Sequence, residues 1–508
     1  MYCIIILKAC FYAEKDGCIH MEQRTRPIIL LIIDSLMHLP LQEAIRQKRV
    51  PALQFLMEHG HYIPNVVSSF PTMSVTIDST LLTGTYPDGH RIPGLLWYNQ
   101  KERRLVNYGN GMIEMLKTGI KEVLHDSLYR LNNEHLSQEV KTIHEELALY
   151  HMSSASINGL VHRGSFLQQY NIPKIAVWLN FLPRELRTHG PFLFSFGALA
   201  RVDAENRYGY LWRKGGFNDK FAARELVYII RQQELPPFTI AYLPENDHSV
   251  HKKGPMAIQG LEKADRQLQE ILNVYPTWEK ALDEAIWVVM GDSGQTSVGT
   301  SRRQALIYLL PMLSKYKITK LGKRAQESEQ VFLCVNERMA YVYALQDDLP
   351  LSELAALFQE DERIDVIAWQ EEDTIQVRGG GKEGRLAFRP NGSYKDGYGQ
   401  AWMLDGDMSL LDIRETEDGI EYGDYPDAFA RLYGALYSHA GRYLVITARP
   451  GCEFVGESSP NHKGGAAHGS LHKEDSYVPI LICGTDSAPE HSRIVDMKDW
   501  ILRLYKEW

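Results

Sequence analysis

The sequence predicts a doubly wound α/β fold, with a mostly parallel sheet and an inserted α+β cap. Three observations point to it. Short, uninterrupted apolar runs end in polar or glycine-containing loops, helical patterns lie between those runs, and one internal stretch instead alternates apolar and polar residues. Ile28–Ile33 before Asp34, Thr239–Leu243 before Asp247, and Ala285–Met290 before Asp292 read as strands buried on both faces. Tyr443–Thr447 and Val478–Cys483 are further candidates for the same sheet. Between them, Ser137 reads as the N-cap of a helix that places Val140, Ile143 and Leu147 on one face.

Thr374–Val377 and Arg385–Phe388 alternate around the turn Gly379, Gly380 and Gly381, which predicts a β-hairpin. Gly379, Gly381 and Gly384 also satisfy a GxGxxG pattern. A strand follows where a dinucleotide site needs a helix, so that reading fails. The expected organisation is a core of residues 27–300 and 426–508, a cap of residues 301–425, and an N-terminal extension of residues 1–26. Met21 stands just ahead of the first strand, which suggests that the extension is not native.

At 508 residues, 44% hydrophobic and 23% charged, the chain can bury a large core without help from a metal or disulfides. Lys and Arg total 55 against 64 Asp and Glu, a net charge of −9 that disfavours nucleic acid polymers as partners. A small phosphate ester is still compatible where local cations reverse the field inside a cleft. None of Cys3, Cys10, Cys18, Cys334, Cys452 and Cys483 forms a CxxC pair, which fits a reducing compartment. The apolar runs are strand-sized, far short of the ~18 residues of a membrane span, and the first twenty residues make a poor signal peptide. A cytoplasmic location without membrane association is expected, with the oligomeric state open. Asn391, Gly392 and Ser393 form a glycosylation sequon that reads more simply as a turn.

In a doubly wound sheet the carboxyl ends of the strands share one rim, so Asp34, Asp247 and Asp292 are expected together there, although each alone would serve as a cap. Carboxylates gathered in this way invite cations. Ser68–Gly94 is rich in hydroxyls and carries the turn Thr83-Gly84-Thr85-Tyr86-Pro87. Ser74 or a neighbour there could be a nucleophile if a metal lowers its pKa; the alternative is a Ser/Thr-rich turn and helix cap. Asp247 and His251, four apart after a strand, can converge on one metal, with glycine-flanked His468 as a third ligand.

These pieces, in this order, resemble the type I phosphodiesterase/nucleotide pyrophosphatase family of the alkaline phosphatase superfamily. The likeness rests on the strand before Asp34, FPTMS before TGTYP, Asp247 with His251 before Gly254-Pro255, GDSG at Asp292, and AHG at His468. The resemblance implies an alkaline-phosphatase-like core and two divalent metal ions, zinc being the expected metal. Asp247, His251 and His468 would hold one ion, and Asp34 and Asp292 the other. It further implies phosphodiesterase, phosphatase or nucleotide pyrophosphatase-like hydrolysis of a small phosphoester, with Ser74 as nucleophile and a phosphoserine intermediate; Thr76 is the alternative nucleophile.

The chain departs from the family pattern twice. Ser293 stands after Asp292 where the family has a histidine ligand, with Ser293 itself, water, His248, His462 or His472 as possible replacements. After Ser74 the chain reads Val75, Thr76, Ile77, Asp78, without the family's phosphate-holding Asn. Two alternatives follow. One is a degenerate, weakly active or inactive member that binds a phosphorylated ligand, and the other is a phosphonate hydrolase or phosphomutase. A sulfatase is disfavoured, since no CxPxR or SxPxR sequence is present.

Overall fold

A computed structural model describes residues 26–209 and 216–506. All but one residue of the N-terminal extension therefore lies outside the described residues. Strand Ile28–Ile33 shows why the first sheet forms where it does. Its β-branched and leucine side chains alternate, Ile28, Leu30 and Ile32 packing on one side of the sheet and Ile29, Leu31 and Ile33 on the other. A strand buried on both faces has to be apolar throughout.

This sheet has seven strands, in the order His61–Val67, Tyr477–Cys483, Ile286–Met290, Ile28–Ile33, Phe238–Leu243, Ser154–Ile157, Leu193–Ser195. Ile28–Ile33 pairs in parallel with both Ile286–Met290 and Phe238–Leu243. Tyr477–Cys483 is the antiparallel member, wedged between Ile286–Met290 and His61–Val67. Helices Ser74–Thr83, Ile143–Leu149 and Met497–Lys506 cover one face; His38–Arg46, Pro51–Glu58, Asp219–Arg231 and Gln259–Leu272 cover the other. The doubly wound, mostly parallel α/β architecture expected from the sequence is the observed one.

A second seven-stranded sheet is antiparallel throughout, in the order Val331–Asn336, Met339–Ala344, Tyr443–Ala448, Ile364–Glu371, Thr374–Gly379, Leu386–Lys395, Ala401–Gly406. The expected hairpin is present, with Ile375 opposite Phe388. Tyr443–Ala448, however, is not in the first sheet. It lies in the middle of the second, between helix Ala428–Leu436 on one face and helix Leu351–Gln359 on the other. Burial on both faces removes the alternation that usually marks an antiparallel strand, so its sequence looks parallel.

One helix start also differs from expectation. Ser137 does not cap it; Thr142 does, accepting from the Glu145 amide while the Glu145 carboxylate accepts from the Thr142 amide. Among the described residues no helix is long and apolar enough to cross a membrane. Cys334, Cys452 and Cys483 are free thiols.

Candidate active site

The parallel strands deliver their carboxyl ends to one rim. Ile28–Ile33 runs directly into Asp34, and Ile286–Met290 into Gly291 and Asp292. Phe238–Leu243 turns into helix Glu245–Lys253, where the four-residue spacing places Asp247 and His251 on one face. His251 Nε2 lies 3.1 Å from Asp247 Oδ1. His468 arrives on a loop from the far end of the chain, its Nε2 4.0 Å from the same Asp247 oxygen. Close approach of that loop depends on Gly465, where a Cβ would meet the His251 carbonyl oxygen at 1.9 Å.

The imidazoles are oriented from behind. His251 Nδ1 donates to the Ala466 carbonyl at 2.8 Å, and His468 Nδ1 donates to the Thr72 carbonyl. Both rings therefore turn Nε2 toward Asp247, an arrangement of one carboxylate and two imidazoles that suits zinc. Burial opposes ionisation of Asp247, but His251 and then His468 outweigh it and hold the carboxyl below its usual range. For His251, Asp247 and Glu337 overcome the downward pull of burial and raise its pKa to about 10.

Beside this group lies a second one, centred on Asp292. Its Oδ2 accepts from Tyr242 at 2.6 Å and from Ser74 Oγ at 3.0 Å, and its Oδ1 accepts from the amides of Ser35 at 2.9 Å and Ser293 at 2.7 Å. Asp34 is crowded by like charge: burial comes first, then Asp292, Asp247 and Asp78, and together they raise its pKa well above the normal carboxyl value. Asp78, one helical turn after Ser74, is raised by burial and by Asp292. Carboxylates this close require either protons or a cation between them.

Ser74 opens helix Ser74–Thr83 and is its only residue that is not fully buried. Thr76 is fully buried. In this first turn the Thr76 and Ile77 amides both donate to the Met73 carbonyl, which leaves the Ser74 and Val75 amides, beside the Ser74 hydroxyl, as the ones directed out of the helix start. Ser293 is also fully buried, and its Oγ has no hydrogen-bond partner in the structure. Of the histidines considered as substitutes, His462 stacks on His251 with ring centroids 4.1 Å apart, His472 faces Asp424 at 3.9 Å, and His248 is exposed.

Sequence reasoning missed several participants. Ser35 links the two groups: its amide bonds Asp292, while its Oγ donates to Asp247 Oδ1 at 3.1 Å. Gln295 Nε2 donates to the same oxygen at 2.6 Å. Tyr242 and Asp78 had a signal, the first at a strand's carboxyl end and the second one turn from Ser74. Glu337, within 4 Å of His251 and His468, had none, because it comes from the second sheet.

The architecture is that of the alkaline-phosphatase-like α/β proteins. The chain belongs to the type I phosphodiesterase/nucleotide pyrophosphatase family, whose model matches residues 28–471, and it is accordingly a hydrolase of phosphoester bonds. That match continues through the expected cap. Phosphonoacetate hydrolase from Sinorhizobium meliloti 1021, in complex with phosphonoformate, is similar in structure at 14% identity. Its TM-score is 0.54, over 94% of this chain and 96% of that one. An inactive variant of murine ectonucleotide pyrophosphatase/phosphodiesterase 5, in complex with AMP, is similar at 11% identity. Its TM-score is 0.56, over 95% of each chain. No curated protein matches the sequence.

Proposed function

We propose that the chain is a metal-dependent phosphoester hydrolase that uses Ser74 as nucleophile and passes through a phosphoserine intermediate. The carrying observation is the placement of Ser74 Oγ, at the accessible start of a helix and 3.0 Å from Asp292 Oδ2. In this reading Asp247, His251 and His468 hold one divalent ion. Asp34 and Asp292, with Ser293 adjacent, hold a second, and zinc suits the imidazole-bearing set. Two such ions supply Lewis acidity to the attacking and leaving oxygens of an in-line displacement.

The protein groups do the remaining work. Asp292 holds the Ser74 hydroxyl proton at Oδ2, and Tyr242 fixes the same carboxylate oxygen. Ser74 Oγ forms the bond to phosphorus as the leaving oxygen departs. The amides of the helix start face the phosphoryl oxygens. Water then attacks phosphorus in line with Oγ, the Oγ–P bond breaks, Asp292 returns its proton to Ser74, and the proton lost by the water goes to the departed leaving oxygen. Two inversions give net retention at phosphorus.

The substrate class is a small phosphodiester or monoester, and the compartment is the cytoplasm, where free Cys334, Cys452 and Cys483 stay reduced. Zinc-loaded protein is expected to cleave p-nitrophenyl thymidine monophosphate or p-nitrophenyl phosphate, and to lose that activity on chelation. Inclusion of phosphonoacetate separates phosphoester from phosphonate hydrolysis. Absence of turnover on both p-nitrophenyl esters, with or without cleavage of phosphonoacetate, would contradict the reading.

Ser293 supports a second reading, a degenerate member that binds a phosphorylated ligand, because a buried hydroxyl replaces the family imidazole. Activity that appears only after Ser293→His would favour it.

A further inference from the structure

Glu337 comes from the second sheet, at the tip of the hairpin joining Val331–Asn336 to Met339–Ala344. Its φ of 56° lies in the left-handed region, as the first position of a two-residue hairpin turn between Asn336 and Met339 requires. The Arg338 amide donates to the His468 carbonyl at 3.0 Å, and the His468 amide donates back to Glu337 Oε2 at 3.1 Å. The fully buried Arg338 guanidinium pairs with Asp475 and donates to the carbonyls of Cys452 at 3.1 Å and Ala448 at 2.9 Å. The hairpin tip is thus fastened to the His468 loop by bonds that need no cation.

The fastening brings Glu337 Oε1 to 3.8 Å from His251 Nε2, and Oε2 to 3.9 Å from His468 Nε2. These are the nitrogens that stand 3.1 and 4.0 Å from Asp247 Oδ1. Ligand atoms bound tetrahedrally to one zinc at ~2.0–2.2 Å lie about 3.3–3.6 Å apart. Glu337 thus turns one oxygen toward each of the two imidazoles, whereas Asp247 meets both with a single oxygen, and the single ligand atoms that Glu337 shares most closely are those of His251 and His462. His462, held by Glu453 at 2.8 Å through Nδ1, stacks on the His251 ring and stands 3.9 Å from Glu337.

We propose that Glu337 is a fourth protein ligand of the ion held by Asp247, His251 and His468, so that one metal ties the two sheets together. The inference rests on the metal site proposed above and goes beyond it, because four protein ligands leave no open position until one of them yields.

The experiment is titration of metal-stripped full-length protein with zinc, and with cobalt(II) read by visible absorption, for wild type, Glu337→Gln and Asp247→Asn. Glu337→Gln is expected to weaken zinc binding at least 10–100-fold and to change the cobalt spectrum, while leaving the melting temperature of the stripped protein near that of wild type. Unchanged affinity and spectrum in Glu337→Gln, with affinity lost in Asp247→Asn, overturn the role of Glu337 and leave the metal site standing. A wild type that binds neither metal overturns both. A crystal structure of the zinc-loaded wild type gives an independent check that does not depend on any variant folding: a Glu337 oxygen at ~2.0–2.2 Å from the metal supports the proposal, and Glu337 outside its coordination sphere overturns it.

Discussion

At Asp292 one carboxylate receives four donors, and its neighbour Ser293 contributes only a main-chain amide to the arrangement. The account therefore predicts that Ser293→His strengthens retention of a second metal ion and raises kcat/KM, each by on the order of 10–100-fold, as checked by metal analysis and steady-state kinetics. No change in either quantity would mean that the imidazole position is already compensated. Much of this neighbourhood was legible in the sequence. Asp34, Asp247 and Asp292 follow apolar runs, and His251 sits one helical turn from Asp247, so strand ends and helical spacing alone bring them together. Ser35, Gln295 and Glu337 were not legible, because each acts through a backbone conformation or a contact between segments far apart in the chain. Ser35, at φ 55°, is the clearest case: only a left-handed turn after Asp34 sends its amide to Asp292 and its hydroxyl to Asp247.

Among the elements, the hairpin carrying Glu337 is held by the buried Arg338–Asp475 pair. Breaking a buried pair leaves an uncompensated charge, so Arg338→Met is expected to destabilise the protein by about 3–5 kcal/mol in denaturant unfolding. A loss below ~1 kcal/mol would show that the fastening is incidental. Helix Met112–Thr118 gives a pH-dependent test. Glu114 is buried in its first turn, and burial raises its pKa to about 8 despite a hydrogen bond from Asn110 and the nearby Lys117. The unfolded chain releases this proton near pH 4.5, so between there and pH 8 the folded state binds more protons and loses stability as pH rises. Glu114→Gln should thus be nearly neutral at pH 4 and stabilising by on the order of 3 kcal/mol at pH 7, as read from paired melts. A difference independent of pH would contradict the assignment. The elements themselves were read well where they were amphipathic or ended at a charged residue. Tyr443–Ala448 was misplaced because helices cover both its faces, and a run of apolar residues does not state which sheet it will join.

For the whole molecule, the first seven-stranded sheet brings Asp34, Asp292, the helix that starts at Ser74, and His251 to one rim, and the second sheet reaches that place with Glu337. The doubly wound core was legible because parallel strands need apolar runs and crossover helices, and both leave periodic marks in the sequence. The reach of the second sheet was not, since tertiary docking leaves no period. The central claim is chemical: phosphorus passes through the oxygen of Ser74. Rapid acid quench of zinc-loaded protein turning over p-nitrophenyl thymidine monophosphate, followed by peptide mass spectrometry, tests it most directly. The account predicts a phosphoryl group on the peptide containing Ser74, and neither adduct nor turnover in Ser74→Ala. Turnover by Ser74→Ala at the wild-type rate, with no phosphorylated peptide in either protein, would contradict it.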